Sequence, residues 1–285
     1  MKAEIASGIE AIRNDKIHGA GYLSREALKV LRLAAKSSQA RDRAEFLSEL
    51  KITAQELANT KPSMAPIANS TAWFIHDCYN FTETGLGLLR EFAQRRAAEL
   101  AQRLEEAASR AAENAASLLE EGDRILTCSY SSVLLQALKK GREEKNFAIF
   151  IAESRGDESY GELLAQDLKL AGIQSQLIPD EELERYASQA SRALTGADSV
   201  IADGTVINGT PTYRLALAAR KRGIPFHAIC ELIKFSPQSP RLEKGFDEIP
   251  STLVTGIITE MGLVKTREVN QHLVEVKKHL RALRD

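Results

Sequence analysis

Asp198 and Asp203 bracket the apolar stretch Ser199 to Ala202 inside "ADSVIADGTVINGTPTYRLALAARKRGIPFHAIC", which runs from Ala197 to Cys230. Either carboxylate can act as a general acid or base where burial tunes its hold on a proton. The Asp-Gly step at Asp203 is a turn signature, so that side chain is expected to serve local turn geometry. Asp198 opens an apolar run, a costly place for a buried carboxylate without a partner. It is the better candidate for chemistry, with an exposed acid at the start of a strand as the alternative. A second set of capable side chains lies in "ILTCSYSSVLLQAL", Ile125 to Leu138. There Cys128 offers either a thiol acid or nucleophile, or a small core residue. Thr127, Ser129, Ser131 and Ser132 form a hydroxyl-rich turn before a helical pattern. Such a turn either receives a phosphate on unpaired N–H groups or caps the helix. No GxGxxG or Walker loop follows this strand, which argues against a dinucleotide site.

These residues need a scaffold, and the sequence changes grammar to supply one. Up to about Glu121 the pattern is helix after helix, with Ile5, Ile9 and Ile12, then Leu28, Leu31 and Ala35, at helical spacing. Ser24 is a candidate N-cap, and "TKPSMAPIANS" from Thr60 to Ser70 is a proline-interrupted break. Leu88 to Leu119 is rich in Ala, Glu and Arg and free of proline; it predicts one long helix closing the first domain, or a coiled coil. After Gly122, short apolar runs alternate with helical segments: "RILTC", "NFAIFIAES", "QSQLIPD", "DSVIAD" and "PFHAIC". Runs of this length read as buried parallel strands of a doubly wound sheet, with ligands beyond their carboxyl ends. Cys128, Ser129, Glu153, Ser154, Arg155, Asp180, Asp203 and Glu231 stand at those ends, and Asp198 opens the fourth run. The expected fold is α/β: an N-terminal all-helical domain over 1–121, then a Rossmann-like parallel-sheet domain over 122–285 that binds ligand and oligomerises.

The totals exclude several classes. The 285 residues carry 38 basic and 39 acidic side chains, so no overall field draws the chain to nucleic acid or membrane. Cys78, Cys128 and Cys230 lack metal-ligand spacing and predict reduced thiols, with no metal and no cofactor. The opening "MKAEIASGIEAIRND" is not a signal sequence, and no apolar run approaches the ~18 residues of a membrane span. A cytoplasmic protein is expected. His76 and His227 sit among apolar neighbours as core residues, His272 and His279 in a charged C-terminal helix as solvated ones. His18, in the loop-like "NDKIHGAG", is the histidine of interest.

The segment "GADSVIADGTVINGTPTYRLALAARKRGIPFHAI" resembles the signature of the superfamily joining the alpha, beta and delta subunits of translation initiation factor 2B to methylthioribose-1-phosphate isomerase and ribose-1,5-bisphosphate isomerase. "IHGAG", "KPSMAPIANS", "ILTCSYSSVLLQAL", "ESRGDESYGELLAQDL" and "GIITEMGLV" are similar to family segments in family order. The resemblance implies the two-domain fold, and assembly through the C-terminal domain into dimers or larger rings. It also implies a site: a catalytic aspartate at Asp198, and phosphate contacts from His18, Gly19, Ala20, Gly21, Lys61, Arg155, Asn208 and Lys234.

The chain departs from the isomerase pattern at several of these positions. Where the isomerases carry His-Cys it has Cys128 and Ser129, and a hydroxyl is far less acidic than a thiol. His18 and Lys61 stand in arginine positions, and Gly209 in a lysine position. Arginine grips phosphate with a planar fork that lysine lacks. "SYSSVLL" is closer to the initiation-factor subunits. The resemblance therefore implies an initiation-factor-2B-alpha-like protein that binds a sugar phosphate or nucleotide without the isomerase chemistry. It would act through a homodimer, a higher homo-oligomer or a translation-factor partner. The alternative is an aldose-ketose isomerase of a phosphorylated pentose using Asp198 with Cys128 or Ser129. A structural scaffold without ligand is the third reading.

Overall fold

The computed structural model describes residues 2–156 and 159–284. Helices α1 (Ala3–Asn14), α2 (Ala20–Ser37), α3 (Arg43–Ala58), α4 (Ala65–Tyr79) and α5 (Leu86–Ser117) come first. The expected all-helical N-terminal region is present. Ser24 is not its cap: α2 starts at Ala20 behind Gly19, and the Ser24 hydroxyl instead donates to the Gly21 carbonyl one turn back. The break before α4 places Pro66 in the helix's first turn, where a missing N–H removes no helical bond.

α5 is the predicted long helix, about 48 Å from its 32 residues. Leu89, Ala93, Ala97, Leu100 and Leu104 pack among the other helices. Ala108, Ala111, Ala112 and Ala115 lie against the sheet that follows. Small side chains on that second half let the helix axis approach the sheet closely. The helix therefore belongs to both cores.

The sheet region runs β1 (Arg124–Thr127), α6 (Ser132–Arg142), β2 (Ala148–Ala152), α7 (Tyr160–Leu170), β3 (Gln176–Ile178), α8 (Leu183–Ala187), β4 (Arg192–Gly196), β5 (Ser199–Ile201), β6 (Val206–Gly209), α9 (Thr212–Arg222), β7 (Phe226–Ile229), β8 (Phe235–Ser236), β9 (Phe246–Ile249), β10 (Gly256–Thr259), β11 (Gly262–Val264) and α10 (Val274–Arg284). Seven strands form the main sheet in the order β11-β10-β7-β4-β1-β2-β3. All its pairs are parallel except β10 with β11. Strand order reverses between β1 and β4, and a crevice opens beyond the carboxyl ends there.

One strand differs from the sequence expectation. "DSVIAD" supplies β5 of a separate four-stranded sheet, β8-β5-β6-β9, while the fourth parallel strand is "RALTG". Ala193, Leu194, Thr195 and Gly196 carry little bulk and one large apolar side chain, so they give no hydrophobic run, yet all are buried in the middle of the sheet. Asp198 consequently follows β4 instead of merely opening a strand, and sits at the rim of the crevice.

The chain ends by returning to the helices. The His279 ring on α10 stacks on Trp73 of α4 at 5.3 Å, and Gln55 Nε2 donates to the Leu283 carbonyl at 2.7 Å. His279 is thus packed and only 12% exposed, not solvated as its charged neighbourhood predicts.

At the start of α7, a Cβ on Gly161 would lie 2.0 Å from the Ala152 carbonyl oxygen, an atom of the strand backbone that cannot swing aside. Gly161→Ala is expected to cost about 1–3 kcal/mol as overpacking. A urea unfolding midpoint that falls with an unchanged slope checks it.

Candidate functional site

A cavity of about 500 Å³ lies at the switch point. Ser129 after β1, Ser154 and Arg155 after β2, Asp198 after β4 and Gly209 at the end of β6 line its sheet side. The helical region covers it with the α1–α2 loop from Asp15 to Gly19 and with Lys61 and Met64. A hydrogen bond from the Tyr160 hydroxyl to the Lys16 carbonyl ties the two sides together.

Asp198 is half-buried and accepts a hydrogen bond from the Ala20 N–H, the first residue of α2. Burial pushes its carboxyl up to about 6, against the opposing pull of Lys234 and of the Ala20 N–H. A carboxyl in that range both accepts and releases a proton near neutral pH.

Ser129 and Ser154 are the two non-glycine residues with left-handed backbone among the described residues, at φ 63° and 54°. They hold each other. The Ser129 N–H donates to Ser154 Oγ at 2.7 Å, and the N–H groups of Ser154 and Arg155 donate to the Asp180 carboxylate at 2.8 and 3.0 Å. Asp180 therefore anchors the β2 loop and is not a rim acid. Such backbone costs energy and persists where the surroundings over-determine it. The turn brings Ser129 Oγ to 2.8 Å from where a Cβ of Gly209 would stand. Glycine at 209 is what leaves room for the hydroxyl.

Two candidates turn away from the cavity. Cys128 is 1% exposed in the sheet core, and its sulfur lies 3.3 Å from Thr212 Oγ1. That hydroxyl already donates to the Gly209 carbonyl and accepts from Asn208 Nδ2, so the thiol is the donor. Burial pushes Cys128 up to about 12. Asn208 is equally internal, its amide donating to Thr195 Oγ1 at 3.0 Å and Thr212 Oγ1 at 2.9 Å. Cys128 follows β1 into the core, and the left-handed turn at Ser129, held by Ser154, swings the next side chain to the cavity. Neither helix start next to the crevice is an open anion cradle. Asp247 accepts the Tyr213 N–H of α9 at 3.0 Å, and Ser131 caps α6 through the Leu134 N–H at 3.3 Å.

The basic candidates divide. His18, Lys61 and Arg155 line the cavity. His18 Nδ1 is 2.7 Å from Asp15 and its ring stacks on Tyr22 at 4.0 Å. Lys61 Nζ donates to the Asp15 carbonyl at 2.7 Å, and Arg155 Nε pairs with Glu153 at 2.7 Å. Gly19 lines the cavity, while Gly21 faces Glu231 and Lys234 is buried against Glu231 at 3.2 Å, outside the lining. Tyr130, Tyr160, Met64, Lys244 and Phe246 complete the wall without having been singled out. Met64, Tyr130 and Tyr160 lie within the family-like segments, and Lys244 precedes a Gly245 turn.

Residues 16–245 match the Initiation factor 2 subunit family. The chain belongs to this family. It is 32% identical to a translation initiation factor eIF-2B subunit 2-like protein of Pyrococcus furiosus, over 93% of this chain and 97% of that one. It is also 32% identical to ribose 1,5-bisphosphate isomerase of Haloferax volcanii, over 78% of this chain and 68% of the isomerase. Among solved structures, translation initiation factor eIF-2B of Pyrococcus horikoshii superposes with a TM-score of 0.81 at 28% identity, covering 93% and 98% of the two chains. The 5-methylthioribose 1-phosphate isomerase of Pyrococcus horikoshii shares the fold at a TM-score of 0.74 and 23% identity, over 96% and 87%. This member of the family thus has relatives named for translation initiation and relatives named for sugar-phosphate isomerisation.

Two measurements probe the site directly. All three cysteines are buried, so native protein is expected to react with a thiol reagent only on unfolding, and Cys128→Ala to leave the cavity intact. For Asp198, the folded carboxyl keeps its proton to about pH 6 while the free group releases it near 3.8. The folded state then binds the extra proton across that window, so this group's contribution to stability falls as pH rises from about 4 to about 6. Asp198→Asn is expected to flatten that slope and to raise stability at pH 7 by on the order of 1–3 kcal/mol, read from urea unfolding at each pH.

Proposed function

We propose that this chain is an eIF-2B-like binding protein for a phosphorylated sugar or nucleotide, without the isomerase reaction. One observation carries the reading: the cavity presents Asp198 and Ser129, while Cys128, next to Ser129 in the chain, is buried, committed to Thr212 and held protonated, and Cys230, the thiol that feels the Asp198 charge, is fully buried with its hold on the proton likewise raised. One tuned carboxyl beside an unactivated hydroxyl suits polyol binding and leaves the carboxyl without the second acid-base group of the isomerase pattern. Lys61, Arg155 and Lys244 bring basic groups suited to a phosphate to a wall that also holds Asp15, Asp198 and Glu243. Assembly into a homodimer or larger homo-oligomer, and work with a translation-factor partner in the cytoplasm, belong to the same proposal. They draw support from relatives such as the tetrameric eIF2B-beta2-delta2 complex of C. thermophilum, which shares the fold at 20% identity.

Titration calorimetry with ribose-1,5-bisphosphate, methylthioribose-1-phosphate and nucleoside monophosphates tests the reading. One class is expected to bind and to remain unchanged by NMR after long incubation. Arg155→Ala is expected to weaken it about 10- to 100-fold, the worth of a charged hydrogen bond. Multiple turnovers of either pentose would overturn the proposal. The second reading, an aldose-ketose isomerase, is favoured by the Asp198 carboxyl near 6. It requires that Asp198→Asn abolish turnover, and residual full activity in that variant would exclude it.

A further inference from the structure

Asp198 and Glu231 leave the sheet side by side. β4 and β7 are parallel neighbours with Gly196 opposite Ile229, and each carboxylate stands two residues beyond that pair. Both meet the first turn of α2: Asp198 takes the Ala20 N–H, and Glu231 Oε1 lies 3.3 Å from where a Cβ on Gly21 would stand, with Arg25 Nη1 3.9 Å from the same point. Two carboxylates this close disfavour each other's ionisation unless a cation sits with them. Lys234 is that cation. Its side chain is 6% exposed and its Nζ is 3.2 Å from Glu231 Oε2, whose side chain is 2% exposed. Burial works against its charge, but Glu231 and Asp198 outweigh it and raise the lysine's hold on its proton. Neither Glu231 nor Lys234 lines the cavity, so neither is available to touch a ligand.

We propose that Glu231 and Lys234 are positioning residues for Asp198: the buried pair sets whether Asp198 is ionised when a ligand enters. They thereby select between a ligand that donates a hydroxyl to Asp198 and one that presents an anion to it. The selection rests on the ligand-binding reading above; the ionisation itself does not. The charged groups that bear on Asp198 are Lys234, Glu243 and Glu231; Glu260 interacts with Glu231, and Arg25 Nη1 donates to the Gly21 carbonyl nearby at 3.1 Å. Of these, Lys234 favours the carboxylate, while Glu243 and Glu231 oppose it.

The test is a carboxyl-carbon NMR titration of Asp198, assigned by its loss in Asp198→Asn, in otherwise unaltered full-length chain. Lys234→Met is expected to move the Asp198 midpoint upward by about one pH unit, and Glu231→Gln to move it downward. Opposite directions from two members of one pair are what a merely structural contact does not produce. Should Lys234→Met fail to fold, Glu231→Gln, which keeps shape and hydrogen-bonding capacity, decides alone. An unmoved or upward midpoint in folded Glu231→Gln overturns the proposal. Calorimetry with ribose 5-phosphate at pH 5.5 and 7.5 supplies the ligand arm, with at least threefold tighter phosphate binding expected at the lower pH. No binding by the native protein sinks the ligand-binding reading while midpoints that move as expected still uphold control of Asp198. Binding with equal affinity at both pH values overturns the selection.

Discussion

The contact on which the site depends is the seat of α2's first N–H, that of Ala20, on the Asp198 carboxylate beyond β4, with Glu231 beyond β7 packed beside Gly21. A helix N-terminus offers unpaired donors and a partial positive charge, and a strand end in a parallel sheet offers side chains at the crevice. Joining them puts Asp198 under the helical layer and closes the cavity. The arrangement is not self-supporting. Burial of Asp198 outweighs what Ala20 and Lys234 return, since its carboxyl is raised and not lowered. The surrounding apolar cores must hold the two layers together, and α5 does so directly by lending one half to each. α10 adds a second tie by crossing back onto α4 through Trp73 and His279.

Three basic residues of the wall are engaged with the protein itself. Arg155 rests on Glu153, Lys61 on the Asp15 carbonyl, and His18 on the Asp15 carboxylate. A phosphate drawn to one of these three exchanges partners with the group that already holds it. The Arg155 side of its pair with Glu153 is exposed, which leaves that guanidinium free to exchange partners with an entering anion. The buried pair of Lys234 and Glu231 is costly to break and stays in place. Mobility of charge is thus graded with depth: adaptable at the rim, fixed beneath Asp198.

Much of this was legible in the residues. The long helix announced itself through a stretch without proline and rich in helix formers, and was found within two residues of its predicted ends. β1, β2, β3 and β7 were visible as apolar runs. β4 was not, because a central strand packed by Ala, Thr and Gly buries little that a hydrophobic pattern can register. At the site, sequence placed Asp198, Ser129, His18, Gly19, Lys61 and Arg155 on one cavity. Cys128 and Asn208 face the core while their chain neighbours Ser129 and Gly209 line the cavity, and Gly21 and Lys234 stand outside its lining. Tyr130 and Met64 stand inside the family-like segments but as types that mark no ligand contact, and Phe246 is brought to the wall by tertiary packing alone.

Ser129 and Gly209 show why the departures from the isomerase pattern are not independent of one another. The Ser129 turn is fixed by Ser154, and Ser154 by Asp180, so the hydroxyl has a set position. That position lies 2.8 Å from the point where any side chain at 209 would begin. A lysine placed at 209 would need the hydroxyl to rotate away before it reached the cavity. A thiol placed at 129 would bring a larger atom against the same backbone, with Cys128 still committed to Thr212. Restoring a single family residue would therefore meet the packing of the others, and the chemistry of this cavity is a property of the linked set Ser129, Ser154, Asp180 and Gly209.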